Sequence, residues 1–81
     1  MRILNERSVA GCKLTFYAWN NRYLIKLEEG LLEQTFKINQ FDVENEDELL
    51  LLADSEFIRQ AIARFTEMGQ SLYQAKARIA K

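Results

Sequence analysis

The sequence predicts an α+β domain in which a three-stranded antiparallel β-meander is packed by one long C-terminal helix. Runs of β-forming residues lie between residues 10 and 38. Turn-forming pairs, Asn20-Asn21 and Glu29-Gly30, separate these runs. From residue 58 onward, apolar residues recur at alternating steps of three and four, which is typical of an amphipathic helix. A chain of 81 residues has room for one domain, which we assign to residues 1–81.

The strands are predicted at residues 10–19, 22–29 and 31–38, with residues 2–8 as a candidate fourth, N-terminal edge strand. Placing Trp19 opposite Arg22 leaves a two-residue turn at Asn20-Asn21, and asparagine tolerates positive φ. Placing Glu28 opposite Leu31 gives the second turn. Both hairpins then assign the same residues of the middle strand to one apolar face. Since a slip of one residue would exchange the faces, this agreement supports the assignment.

The long helix is predicted to begin near Asp54, which is a suitable N-cap, with Glu56 in the first turn. A glycine, Gly69, lies in its middle and makes a kink or break there an open alternative. A shorter helical turn is predicted over residues 46–52. The apolar stripe of the long helix follows heptad steps through Ile58, Ala61, Phe65, Met68, Leu72, Ala75 and Ile79.

The helix is longer than the sheet that it has to cover. A helix of 25 residues spans about 37 Å, whereas a strand of eight residues spans about 26 Å. The part beyond Gly69 is therefore expected to overhang the sheet or to fold back. We expect a homodimer that forms through this helix. The predicted self-association residues are Phe65, Met68, Leu72, Tyr73 and Ile79.

The residue types argue against catalysis and against a cofactor or metal. The chain has one cysteine and no histidine, so it can form neither an internal disulfide nor a His/Cys zinc site. Its serines have no histidine to activate them, and its three glycines are isolated, so no phosphate-binding loop is present. Cys12 falls at an inward position of the first predicted strand and is interpreted as a small buried apolar residue.

The outer face of the predicted sheet is the second candidate surface. It carries aromatic residues among basic ones, at Tyr17, Trp19, Arg22, Lys26 and Lys37. A protein partner is the favoured occupant. Single-stranded nucleic acid is the alternative, because bases stack on aromatic rings while cations follow the backbone. Glu28 and Glu33 interrupt the basic residues, and a small ligand held at a dimer interface is a third class.

Charge is unevenly distributed, although the net charge is only −1. Seven acidic residues lie between residues 42 and 56, and the basic residues Lys76, Arg78 and Lys81 follow Gly69. The basic tail is expected either to meet the acidic segment of a second subunit or to complement the helix dipole. No signal-peptide core or membrane-length apolar run is present, and the single thiol suits a reducing compartment, so we expect a cytoplasmic protein without membrane contact.

The central stretch of the chain resembles short, uncharacterised bacterial proteins of cyanobacterial type. The resemblance covers the residues WNNRYLIKLEEGLLEQTFKI, from Trp19 to Ile38, and the helix start Glu56-Phe-Ile-Arg. It implies no activity and no site. The order of meander and helix is also similar to the sheet-and-helix units of whirly and PUR-type single-strand binders. Those units have four strands against the three clear ones here, and a fold-level analogy transfers no functional residue.

Overall fold

The computed structural model describes residues 1–79, which form two layers: one antiparallel sheet and the helices that pack on one of its faces. The four strands follow one another in the sheet in chain order, β1-β2-β3-β4. The elements are β1 (Arg2–Val9), β2 (Cys12–Trp19), β3 (Arg22–Glu29), β4 (Leu32–Asn39), a 3-10 turn (Gln40–Asp42), α1 (Glu46–Leu52) and α2 (Ser55–Ile79).

The sheet has four strands, so the three-strand prediction is corrected, and the candidate edge strand at residues 2–8 is a full strand, β1. It pairs with β2 from Arg2 opposite Ala18 to Val9 opposite Cys12. The register shifts between Ile3 and Asn5, which is a β-bulge. The bulge breaks the alternation of side chains along β1. This explains why the strand carries only a weak periodic signal in the sequence.

The turn between β1 and β2 consists of Ala10 and Gly11, both with positive φ (52° and 82°). The prediction that these two residues begin a strand at residue 10 was therefore wrong. Asn20 and Asn21 form the next turn, also with positive φ at both positions, as a type I′ hairpin requires. Alanine rarely adopts the left-handed conformation, so its residue type does not mark the first turn in the way that asparagine marks the second.

The register of the first predicted hairpin is confirmed, with Trp19 opposite Arg22. The second is shifted by two residues from the prediction, because Glu28 lies opposite Glu33 rather than Leu31. The connecting turn contains Gly30, with a φ of 59°. Since side chains alternate with a period of two, a shift of two residues leaves every side chain on its predicted face.

The core lies between the sheet and the two helices. Asp54 caps α2 as predicted, since its Oδ1 accepts a hydrogen bond of 2.8 Å from the backbone N–H of Phe57. Asn45 caps α1 in the same way, and α1 has the predicted bounds. The most deeply buried core side chains are Cys12, Leu14, Phe16, Ile25, Leu27, Leu49, Ala61 and Phe65.

Helix α2 runs antiparallel to β4 on the core face. Near its start, the ring of Phe57 lies 5.1 Å from that of Phe36. One turn later, Nε2 of Gln34 donates a hydrogen bond of 2.8 Å to the carbonyl oxygen of Ala61. As α2 advances, its neighbours on β4 therefore move back toward the beginning of that strand. Within residues 1–79, neither helix is long and apolar enough to cross a membrane.

Candidate functional site

The second half of α2 extends past the end of the sheet. Gly69 lies beside the first residue of β4, since a Cβ placed on it would be 3.8 Å from Cδ1 of Leu32. The helix continues without a break to Ile79, so the alternative of a break at Gly69 is excluded. We call residues 69–79 the overhang. They lengthen the molecule, whose largest dimension is 51 Å against a sheet strand of about 26 Å.

The apolar stripe of α2 continues along the overhang, but no other part of the described chain covers it there. Leu72 is 44% exposed, Tyr73 75% and Ile79 78%. Met68, at the start of this region, is half-buried and packs against the core. Phe65 is 1% exposed within its own chain, so the expectation that it contributes to self-association is corrected: its side chain is already in the core.

An open groove of about 570 Å³ lies where the overhang leaves the sheet. Its apolar wall is formed by Leu32 of β4 and by residues of one face of α2, and it faces the same side of the helix as the core. A groove with apolar walls at a helix overhang suits another apolar element better than a polar ligand. The residues that line it are Leu32, Glu67, Met68, Ser71, Leu72 and Ala75.

The outer sheet face carries all five residues predicted for it. Trp19 lies opposite Arg22 at one end of the face. In the next row across the strands, Tyr17 lies opposite Leu24, and Leu24 lies opposite Lys37. Lys26 is one row further, opposite Thr15 and Thr35. In the part of the chain that the structure describes, no helix packs on this face.

Charge divides this face into two ends. At the end near Gly30, Nζ of Lys26 lies 3.8 Å from a carboxylate oxygen of Glu28 and 3.6 Å from one of Glu33. The attraction of Glu28, and then of Glu33, raises the pKa of Lys26. The positive charge of Lys26 is therefore largely balanced within the protein.

At the opposite end, Arg22 and Lys37 have no carboxylate oxygen within 4.0 Å among residues 1–79. Trp19 lies opposite Arg22, and Tyr17 lies in the same row as Lys37 with Leu24 of β3 between them. Trp19 and Arg22 make no cation–π contact in the described residues. We call Tyr17, Trp19, Arg22 and Lys37 the aromatic-basic end. Lys26 falls outside it.

One feature of the outer face was not anticipated from the sequence. Thr15 is 0% exposed although it lies on the face without a helix, and its hydroxyl has no hydrogen-bond partner within residues 1–79. Leu24 in the adjacent row is also buried, and a shallow cavity of about 210 Å³ lies beside it, between Tyr17 and Lys26. Alternation predicts only the face of Thr15. Its burial depends on the long side chains of neighbouring strands, which no local pattern reveals.

The single thiol is not positioned as an exposed nucleophile. Cys12 is buried at the inward position that the sequence predicts, and its Sγ donates a weak hydrogen bond of 3.6 Å to Glu29. Burial, and then this contact with Glu29, raise the pKa of the Cys12 thiol, so it is held in the unreactive protonated form. Among residues 1–79, no three His, Cys, Asp or Glu side chains come together as a metal site would require.

The acidic segment and the basic tail lie at opposite ends of the molecule. The guanidinium of Arg2, at the start of β1, is 3.3 Å from a carboxylate oxygen of Glu46 in α1, which places this segment at the far end of the sheet from the overhang. Lys76 and Arg78 lie on the overhang. Lys81, the third basic residue of the predicted tail, lies outside the described residues.

Comparisons of the chain with protein families, with curated proteins and with solved structures find no match to any of them. The resemblance to short bacterial proteins therefore stays a prediction. The two surfaces of the chain that are candidates for a function are the overhang with its groove and the aromatic-basic end of the outer sheet face.

Proposed function

We propose that this protein is a non-catalytic interaction protein that self-associates through the overhang of α2. The observation that supports the proposal is a single heptad stripe that is buried in its first half and exposed in its second. Its first half is buried against the sheet at Ile58, Ala61 and Phe65. Its second half continues with the same spacing, but Leu72 and Ile79 are exposed. A stripe of this kind is stable in water when a second apolar surface covers it.

The amount of apolar surface sets the expected affinity. Fully burying one leucine or isoleucine contributes about 1.5–3 kcal/mol, and a symmetric pair would bury Leu72 and Ile79 from each copy. Association costs about 4–15 kcal/mol in lost translational and rotational freedom. The gain and the cost are of the same order, so we expect only a weak, reversible and concentration-dependent dimer, with a dissociation constant in the micromolar to millimolar range.

Sedimentation equilibrium over a range of protein concentrations tests this proposal. The variant Leu72→Glu places a charge in the exposed stripe and is expected to be monomeric at all concentrations. Gln70→Glu adds the same charge at an exposed position on the opposite side of the helix, and it should associate like wild type. A wild-type protein that stays monomeric up to about 1 mM, where association would be worth only about 4 kcal/mol, would refute self-association.

The outer sheet face is proposed as the surface for a protein partner, with single-stranded nucleic acid as the second candidate. The observation that favours nucleic acid is the aromatic-basic end, where Trp19 lies opposite Arg22 and where neither Arg22 nor Lys37 forms an ion pair among residues 1–79. Base stacking on an exposed indole contributes about 1–3 kcal/mol, and phosphate contacts make such binding salt-dependent.

Trp19 fluorescence during titration with single-stranded oligonucleotides, at low and at high salt, separates the two occupants. Nucleic-acid binding predicts quenching that weakens with salt and that is reduced in Lys37→Gln. Lys13→Gln is the matched control, because Lys13 is exposed on the same face but is already paired with Glu6 at 3.5 Å. Quenching that is absent, or that Lys13→Gln reduces as much as Lys37→Gln does, would remove the nucleic-acid candidate.

A further inference from the structure

We propose that two copies of this chain pair their overhangs in antiparallel orientation about a two-fold axis between residues 73 and 74. This inference depends on the self-association proposed above and adds the orientation and the register. The chain's own sheet restricts where a second helix can pack. On the N-terminal side of Gly69, the stripe of α2 is covered by the chain's own sheet, where Ala61 and Phe65 are buried. A second helix can therefore lie along the stripe only from about Gly69 onward.

This restriction separates the two helix orientations. In a parallel pair in register, residues 55–68 of the second helix would occupy the space that the sheet of the first copy fills. In an antiparallel pair, those residues lie beyond Ile79 of the first copy, where its sheet does not reach. Each sheet then lies outside the overlap, on its own end of the pair. The fold of one subunit thus permits a close antiparallel contact and excludes a close parallel one.

The length of the overhang determines the register. An overlap that uses the whole exposed stripe places Leu72 against the partner's Ala75, and Met68 against the partner's Ile79. Each of these two layers of facing side chains then pairs a large residue with a smaller or more flexible one, as close packing between helices requires. The partner's Ile79 would enter the groove of about 570 Å³ that Leu32 and Met68 line. The groove and the most exposed residue of the stripe therefore complement each other within one sequence.

The charged residues that flank the stripe agree with this register. Lys76 would lie beside the partner's Gly69, and Arg78 beside the partner's Ser71. No two like charges face each other in the contact, and Gly69 leaves space for the lysine stem. The occupant of the groove is therefore a second copy of this chain, since the same surface supplies both the groove and the side chain that fills it, as an isologous dimer requires.

The alternative contact, between the basic tail of one copy and the acidic segment of another, gives a different assembly. Lys76 and Arg78 lie at one end of the molecule, and Glu46 lies at the other. Joining these ends produces a head-to-tail arrangement, which does not close on itself and grows with concentration. A limiting mass of two subunits favours the antiparallel pair over this arrangement.

Spin labels on the full chain test the orientation. Ala63→Cys and Ala77→Cys, each in a Cys12→Ala background, place labels at exposed positions two heptads apart, with the same direction from the helix. In the antiparallel pair, the two labels are separated along the axis by about 32 Å at residue 63 and about 11 Å at residue 77, from the rise of 1.5 Å per residue. Electron–electron double resonance should therefore give the longer distance at residue 63. A parallel pair gives equal distances at both positions and overturns the proposal, as does an assembly whose mass keeps rising with concentration beyond two subunits.

A second measurement does not depend on the labels. Leu72→Cys and Ala75→Cys proteins, again without Cys12, are mixed and oxidised, and the predicted layer makes the mixed disulfide form faster than either symmetric one. Preference for the symmetric disulfides would refute the register. Wild-type sedimentation distinguishes the two levels of the proposal: a monomer overturns self-association itself, whereas a dimer with equal label distances overturns only the antiparallel arrangement.

Discussion

Two alanine substitutions in one helix, Phe65→Ala and Leu72→Ala, measure how α2 divides its stripe between core and overhang. Both side chains occupy equivalent heptad positions, one heptad apart. Phe65 is 1% exposed and packs in the core between α2 and the sheet, whereas Leu72 is 44% exposed beyond the sheet. The difference in free energy of unfolding between the two variants therefore reports where the sheet stops covering the helix.

The expected magnitudes differ by a factor of about three. Replacing a fully buried phenylalanine by alanine costs about 3–5 kcal/mol, because the transfer free energy is lost and a cavity remains. A leucine that is about half exposed retains about half of the 1.5–3 kcal/mol of full burial, so Leu72→Ala is expected to cost about 1 kcal/mol in the monomer. At about 0.05–0.15 kcal/mol per residue, a chain of 81 residues has about 4–12 kcal/mol in all, so Phe65→Ala removes a large fraction of it.

Urea unfolding followed by circular dichroism provides the measurement, at protein concentrations low enough for wild type to be monomeric. At higher concentration, the midpoint of wild type should rise through association, and that of Leu72→Ala should rise less. Equal losses for the two variants at low concentration would show that the overhang packs on its own sheet. That result would refute the division of α2 on which the proposed self-association depends.

Two further predictions concern the sheet. Thr15→Val removes a buried hydroxyl that has no hydrogen-bond partner among residues 1–79, and it is expected to raise the free energy of unfolding by about 1–3 kcal/mol. The urea midpoint should therefore be higher than that of wild type, and a lower midpoint would contradict this account. The raised pKa of Cys12 predicts that its contribution to stability is complete below the pKa of an unfolded thiol, about 8.5, and is lost as pH rises through the folded value. Cys12→Ala should therefore flatten the alkaline decline in urea midpoint, and an unchanged slope would show that other groups cause it.

The elements that the sequence predicted well are those with a local physical cause. The start of α2 follows from the cap at Asp54, and its heptad stripe follows from side chains three and four residues apart. The hairpin of β2 and β3 follows from Asn20-Asn21, whose residue types suit the conformation of the turn. The faces of the strands follow from an alternation of period two. Each of these signals lies within a few residues of the structure that it determines.

Other features depended on contacts between distant residues. The sequence predicts β1 only as a candidate edge strand, because its bulge disrupts the alternation, and its identity as a strand comes from pairing with β2. The slip of two residues between β3 and β4 leaves all faces unchanged, so hydrophobic patterning could not detect it. The ion pairing that balances the charge of Lys26 likewise involves Glu33 from the neighbouring strand.

The spacing of apolar residues along the chain is enough to give α2 one continuous apolar stripe. That Phe65 belongs to the core and Leu72 to an exposed surface follows only from the packing of α2 on the sheet. The two residues have the same heptad position, and nothing local distinguishes them. The point at which the sheet stops covering α2 depends on the length of the strands and on the antiparallel course of α2 along β4. These are relations between elements, and they exist only once the chain has folded.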